Sequence, residues 1–507
     1  MTHPSTYARL ATELKQIAIL RSCASVLGWD EQTYLPHKGA EHRANQLALL
    51  AGLAHERATA KSLGDMLAQA ETEAAHGSPV QRANVVESRR RYERATRIPQ
   101  RLVEELSHTA TLSQQAWVDA TKKSDFASFR PWLEKMVGLK REEAAAVGYP
   151  QGGVPYDALL DEYEPGMSSA QVQHVFDELR PRVVQLVAAI RDSGQRPDTS
   201  CLTRKFPVPA QREFAVDAAK AIGFNFEAGR LDEAAHPFCS GMGPGDCRLT
   251  TRYHEEFFPA GLFGTLHEAG HGIYEQGLNP DDFGLPTGDA VSLGIHESQS
   301  RMWENFVGRG KPFWKHFYPL AQKRFSSALG DVSLDQFHAA INDVRPSWIR
   351  VESDEVTYNL HIMLRFDLER ALIDGSLKVA DVPEAWNAKF TSYFGMTPPE
   401  DRLGCLQDVH WSAGLIGYFA TYALGNMYAA QFFEQARHDL GDLDAQFARG
   451  EFTPLREWLN KHIHQHGMRY RAPELVQVVT GRPLSSDPLL THLWTRFGPL
   501  FGVEASS

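Results

Sequence analysis

The sequence predicts an all-α fold with at most a small β-sheet near its richest motifs, and three observations carry that expectation. Apolar residues recur at helical spacing in segment after segment. Prolines and glycines fall mostly between those segments, and only one stretch alternates in the manner of a strand. Residues 7–20 set Tyr7, Leu10, Leu14 and Ile17 on one face, with Ser5 or Thr6 in position to cap. Similar patterns recur near 43–57, 81–95, 168–192, 210–222, 333–343, 355–373 and 429–440. The exception runs from Cys247 to Tyr253, where Arg248, Thr250 and Arg252 alternate with Leu249, Thr251 and Tyr253. There is no internal repeat and no low-complexity tract.

Composition narrows the function classes. Hydrophobic residues make up 43% and charged residues 23%, the balance of a globular chain with a sizeable core. The net charge of −11 is spread along the chain without a basic stripe, so neither nucleic acid nor an anionic membrane is the expected partner. Val409–Phe433 lacks Asp, Glu, Lys and Arg and is long enough to cross a bilayer, but Ser412, Thr421, Asn426 and Gln431 interrupt it. We read it as a buried core helix. The polar N-terminus has no apolar run of a secretory signal. The five cysteines form no CxxC pair, which fits reduced thiols in a cytoplasm.

The chemistry centres on Leu266-His267-Glu268-Ala269-Gly270-His271. On a helix, residues four apart share a face, so both imidazoles can reach one ion while Glu268 points at the same site. Phe257, Phe258, Leu262, Phe263 and Leu266 make that helix apolar, where unpaired His and Glu would be costly. A catalytic site of this kind needs a third protein ligand. Tyr274 and Gly277 stand where the metzincin pattern has Gly and His. Glu275 lies roughly 12 Å from His267 along the axis, too far to share the ion. The ligand is therefore expected from a new helix at 293–301, with Glu297 first and His296 and Glu304 behind it.

Six motifs then follow in order: His236-Pro237-Phe238; Asp246-x-Arg248-x-Thr250; the His-Glu-x-x-His helix; His296-Glu297-Ser298-Gln299-Ser300-Arg301; Ile349-Arg350-x-x-Ser353-Asp354; and Gly404-x-x-Gln407-Asp408-x-His410-Trp411. Together they resemble the carboxypeptidase Taq family of metallocarboxypeptidases. The likeness extends to Leu27-Gly28-Trp29-Asp30 and to Ile463-His464-Gln465-His466-Gly467, with Ser353 standing where the family has Ala. The resemblance implies an all-helical homodimer with a deep groove. It also implies one Zn²⁺ or Co²⁺ per chain and release of single C-terminal amino acids from peptides with broad preference. Glu297 matches the family's third ligand.

Length alone allows roughly two to four domains, although large helical enzymes build one body at this size. We expect residues 1–507 to form one catalytic domain, with a soft boundary near 200 and the metal and substrate motifs in 236–422.

In this reading Glu268 is the general base, and His410, Tyr418 and Tyr422 are the groups considered for the oxyanion and the substrate. Spacing alone makes Arg350 an i,i+4 partner of Asp354; the resemblance instead makes it the reader of a terminal carboxylate, oriented by Asp354. Arg248 and Thr250 are expected to bind a peptide as an added strand, if the edge of their strand is open. The histidines at 462, 464 and 466 are read as structural. Two rivals remain: an oligoendopeptidase of the related helical zinc peptidases, which Arg350 argues against, and an inactive peptide-binding scaffold, which an intact Glu268 argues against.

Overall fold

A computed structural model describes residues 5–504; Met1–Pro4 of the polar N-terminus lie outside the described residues. Among these residues there are 21 α-helices and one three-stranded sheet, so the all-α expectation holds. The opening helix spans Thr6–Thr33, and Ser5 caps it by accepting from the Ala8 amide. No described helix is long and apolar enough to cross a membrane.

The chain forms two compact units. The first comprises Met1–Ala95, Pro197–Ile341 and Phe432–Arg482. It contains β1 (Gly229–Glu233), β2 (Cys239–Gly243) and β3 (Asp246–Thr251), in the order β1-β3-β2. β3 is the central strand, parallel to β1 and antiparallel to β2. The expectation of a peptide adding beside Arg248 and Thr250 is therefore corrected: the backbone donors and acceptors of β3 are taken on both sides. An aromatic core gathers Phe206, Phe214, Phe258, Trp314, Phe325 and Phe337 around the start of the helix that carries the two histidines.

The second unit comprises Thr96–Arg196, Asn342–Gln431 and Pro483–Ser507. Two of its long helices, Gln100–Lys123 and Phe126–Val147, were not read from the sequence. The first buries Thr109, Ser113 and Ala120 along with Leu102, so its inner face is not an apolar stripe, and Pro131 interrupts the pattern of the second. The uncharged stretch from Val409 becomes helix only at Ala420–Leu440. Gly414 and Gly417, at φ +75° and +96°, turn the chain before it. A buried carboxylate holds that turn. Glu369 accepts from the Tyr156 hydroxyl (2.8 Å), the Trp411 indole (2.9 Å) and the Gly417 amide (3.0 Å).

Candidate active site

In the first unit the histidine helix spans Phe258–Gly277, opening on Phe257 with Pro259 in its first turn, where a missing N–H costs nothing. The glutamate helix spans Leu293–Arg301, capped by Ser292, whose hydroxyl accepts from the Ile295 amide. Gly270, between the two histidines, lets the helices touch. A Cβ there would lie 2.5 Å from the Gln299 carbonyl and 2.7 Å from the Ser300 Cα. This contact brings Glu297 to His267 and His271.

Glu297 Oε2 stands 3.7 Å from His267 Nε2 and 3.5 Å from His271 Nε2, and one ligand atom from each residue lies within 4.8 Å of the others. Atoms at two corners of a tetrahedron around an ion about 2.1 Å away are separated by roughly 3.4 Å, so the three donors fit one such ion. Each is braced from behind. Arg301 Nε donates to Glu297 Oε1 (2.7 Å), and Ser300 donates to Oε2 (3.1 Å). His267 Nδ1 donates to Glu304 Oε2 (2.9 Å). Glu304 sits on a π-helical turn, Met302–Gly308, that follows the glutamate helix directly, and such turns recur at functional sites.

Burial and close neighbours shift the titration of each member of this cluster. Burial works against charge on His267, yet Glu297 and a hydrogen bond to Glu304 outweigh it and lift its pKa to about 9. Burial and the neighbouring His296 lower His271 to about 3, which keeps its ring neutral. Burial opposes charge on Glu297 too, but Arg301 and the imidazoles hold its carboxyl well below the usual range. Glu268, buried beside them, is raised to about 7, mainly by burial, with His267 pulling the other way.

In the second unit another constellation forms. Asp408 takes Arg350 on one oxygen (Nε 3.0 Å, Nη2 2.9 Å) and Arg365 on the other (Nε 2.6 Å, Nη2 2.5 Å). Tyr358 accepts from Arg350 Nη1 (3.3 Å). The guanidinium of Arg350 lies 5.4 Å from the Tyr422 ring centre, and the rings of His410, Tyr418 and Tyr422 pack against one another, tilted or edge to face. The expected Asp354–Arg350 pair is absent. Asp354 instead accepts from the Val356 and Thr357 amides, capping the following turn. The partner of Arg350 is 58 residues away, and spacing could not reveal it. Burial is the main cause that lowers His410 to about 4, so at neutral pH it is an uncharged donor.

The chain matches the family described as carboxypeptidase Taq (M32) metallopeptidase over residues 9–497. It belongs to that family. It is 48% identical to thermostable carboxypeptidase 1 of Thermus thermophilus, covering 99% of this chain and 100% of the relative. It is 38% identical to carboxypeptidase 1 of Bacillus subtilis, over 96% and 97%. The crystal structure of an M32 carboxypeptidase from Deinococcus radiodurans R1 superposes with a TM-score of 0.95 at 39% identity, covering 99% of this chain and all of that one.

The protein is thus an M32 metallocarboxypeptidase, a peptide hydrolase, and membership implies a divalent metal. Two imidazole nitrogens and a carboxylate oxygen form a donor set suited to such an ion. Of the other residues singled out from sequence, Arg248 is half-buried. It is fixed by Asp246 (2.9 and 2.7 Å) and lies over the Trp29 ring at 4.4 Å. Thr250 is fully buried, bonded both to and from Phe238 of the His236-Pro237-Phe238 loop. Direct peptide contact at Thr250 is therefore corrected to support of that loop. Three polar groups of the M32 enzyme escaped the sequence reading as braces: Glu304, His296 and Arg301. The only signal was their place in or beside the glutamate helix.

Gly270→Ala tests the helix contact. The new methyl meets backbone, which cannot swing aside, so a stability loss of about 1–3 kcal/mol is expected in thermal melts. Metal retention should weaken with it. An unchanged melt with full metal uptake would show that the helices separate freely.

Proposed function

We propose that this metallocarboxypeptidase releases single C-terminal amino acids from peptides with broad preference, using one Zn²⁺ or Co²⁺ held by His267, His271 and Glu297. The observation that carries the reading is a buried Glu268 beside three convergent ligands. When bound, the ion supplies a Lewis acid that polarises the scissile carbonyl and draws the pKa of water towards about 7. Glu268 takes the proton of the attacking water and passes it to the leaving amine. His410, neutral at working pH, and Tyr418 donate hydrogen bonds to the developing oxyanion. Arg350 receives the substrate's terminal carboxylate, with Tyr422 flanking it and Asp408 fixing its plane. Arg248, stacked on Trp29, offers a further contact for the peptide.

The family match over 9–497 supports reading residues 1–507 as one catalytic domain, and we place the enzyme in the cytoplasm as a homodimer. The experiment is metal analysis of the purified protein, with activity on an N-blocked dipeptide before and after chelation. About one ion per chain is expected. Activity should vanish with chelator and return with Zn²⁺ or Co²⁺, and His271→Ala should hold no ion. Full activity in demonstrably metal-free protein would overturn the mechanism.

A further inference from the structure

The two ligand imidazoles are braced differently. His267 turns its Nδ1 to a carboxylate directly, the usual arrangement behind a metal-bound histidine. His271 turns its Nδ1 to another imidazole: His296 Nδ1 lies 2.6 Å away, and His296 Nε2 lies 2.8 Å from Glu275 Oε1. The ring centres of His271 and His296 are 4.5 Å apart and their planes are 28° from parallel.

One arrangement of protons satisfies the whole chain and also leaves His271 open to an ion. A carboxylate only accepts, so His296 Nε2 carries a proton and donates to Glu275. With one proton on the ring, His296 Nδ1 is an acceptor and receives the proton of His271 Nδ1. That leaves His271 Nε2, the atom facing Glu297, with its lone pair open. Had His296 carried both protons, His271 Nδ1 would have to accept, and its proton would sit on Nε2, where an ion must bind. Glu275 is itself held in place. Its carboxylate fills the space a Cβ on Gly241 of β2 would take, with Glu275 Cδ only 3.0 Å from that point. The residue that the helix rise removes from the ligand set thus meets the site through one intermediary.

We propose that Glu275 and His296 are positioning residues, which set the tautomer of His271 by a relayed hydrogen bond and so hold its Nε2 ready for the ion. The inference rests on His267, His271 and Glu297 being the ligands. Full-length protein, stripped and then titrated with Zn²⁺ against a competing chromophoric chelator, tests both. Wild type should take up one ion per chain; no uptake would overturn the ligand set, and the relay with it. His296→Ala and Glu275→Ala should each weaken Zn²⁺ affinity about ten- to hundredfold, the range for partners of metal-bound histidines. The metal-free melting temperature should hardly change. Glu275→Gln should restore most of the affinity, because its amide oxygen still accepts from His296. The double variant should be no weaker than His296→Ala alone, since the two act in series. Gly241→Ala displaces the Glu275 carboxylate without altering either relay residue, and it should cost affinity severalfold. Unchanged affinity in the single variants, or additive losses in the double one, would overturn the relay.

Discussion

Replacing Glu268 with glutamine is expected to lower turnover about a hundredfold or more while the ion stays bound. The carboxyl is buried beside the three ligands, and burial raises its affinity for a proton. Glutamine keeps its size and can still hydrogen-bond, but it cannot take a proton from water. Metal content, Zn²⁺ affinity and thermal stability should therefore match wild type while kcat falls. Loss of metal in Glu268→Gln would instead make Glu268 a ligand and reassign the roles around it.

Arg350→Ala is expected to lower kcat/KM by roughly thirty- to several-thousandfold on substrates with a free C-terminus. Asp408 is shared between two guanidinium groups, which leaves a buried cluster with one positive charge in excess. A carboxylate entering such surroundings loses hydration, and a fixed planar cation offsets that loss by paired hydrogen bonds. Removing one partner of a buried charge pair costs about 2–5 kcal/mol, and about 1.4 kcal/mol is a decade. The variant should still fold, because Arg365 continues to pair with Asp408. Amidating the substrate's C-terminus deletes the other half of the interaction and should cost wild type a similar factor. The mutant should then hardly distinguish acid from amide. Equal cleavage of both substrates by wild type would favour an endopeptidase and leave Arg350 a structural ion pair.

The residues that sequence identified best were those whose meaning is local. His267 and His271 share a face by helical spacing alone, and the helix rise separates Glu275 from the first of them. What it missed depends on chain crossings. Glu304 reaches His267 through a π-turn that no periodicity announces, and His296 finds His271 only because two helices touch at Gly270. Arg350 shows the same bias. Asp354, four residues on, looked like its partner, whereas Asp408 is. For the fold, most amphipathic helices were legible, while Gln100–Lys123 buries Thr109, Ser113 and Ala120 along with Leu102, so its inner face is not an apolar stripe. The uncharged stretch after Val409 suggested one long helix because its glycines were weighed less than its hydropathy.

The close approach at Gly270 bears on anyone who would transplant this metal site into another scaffold. A search pattern written His-Glu-x-x-His treats the third and fourth letters as free. In this protein the fourth sets the distance at which a foreign helix can deliver its carboxylate, so it belongs to the coordination chemistry although it carries no donor atom. A graft that copies the histidines and the glutamates but puts alanine there would reproduce every ligand and still hold Glu297 farther from the ion.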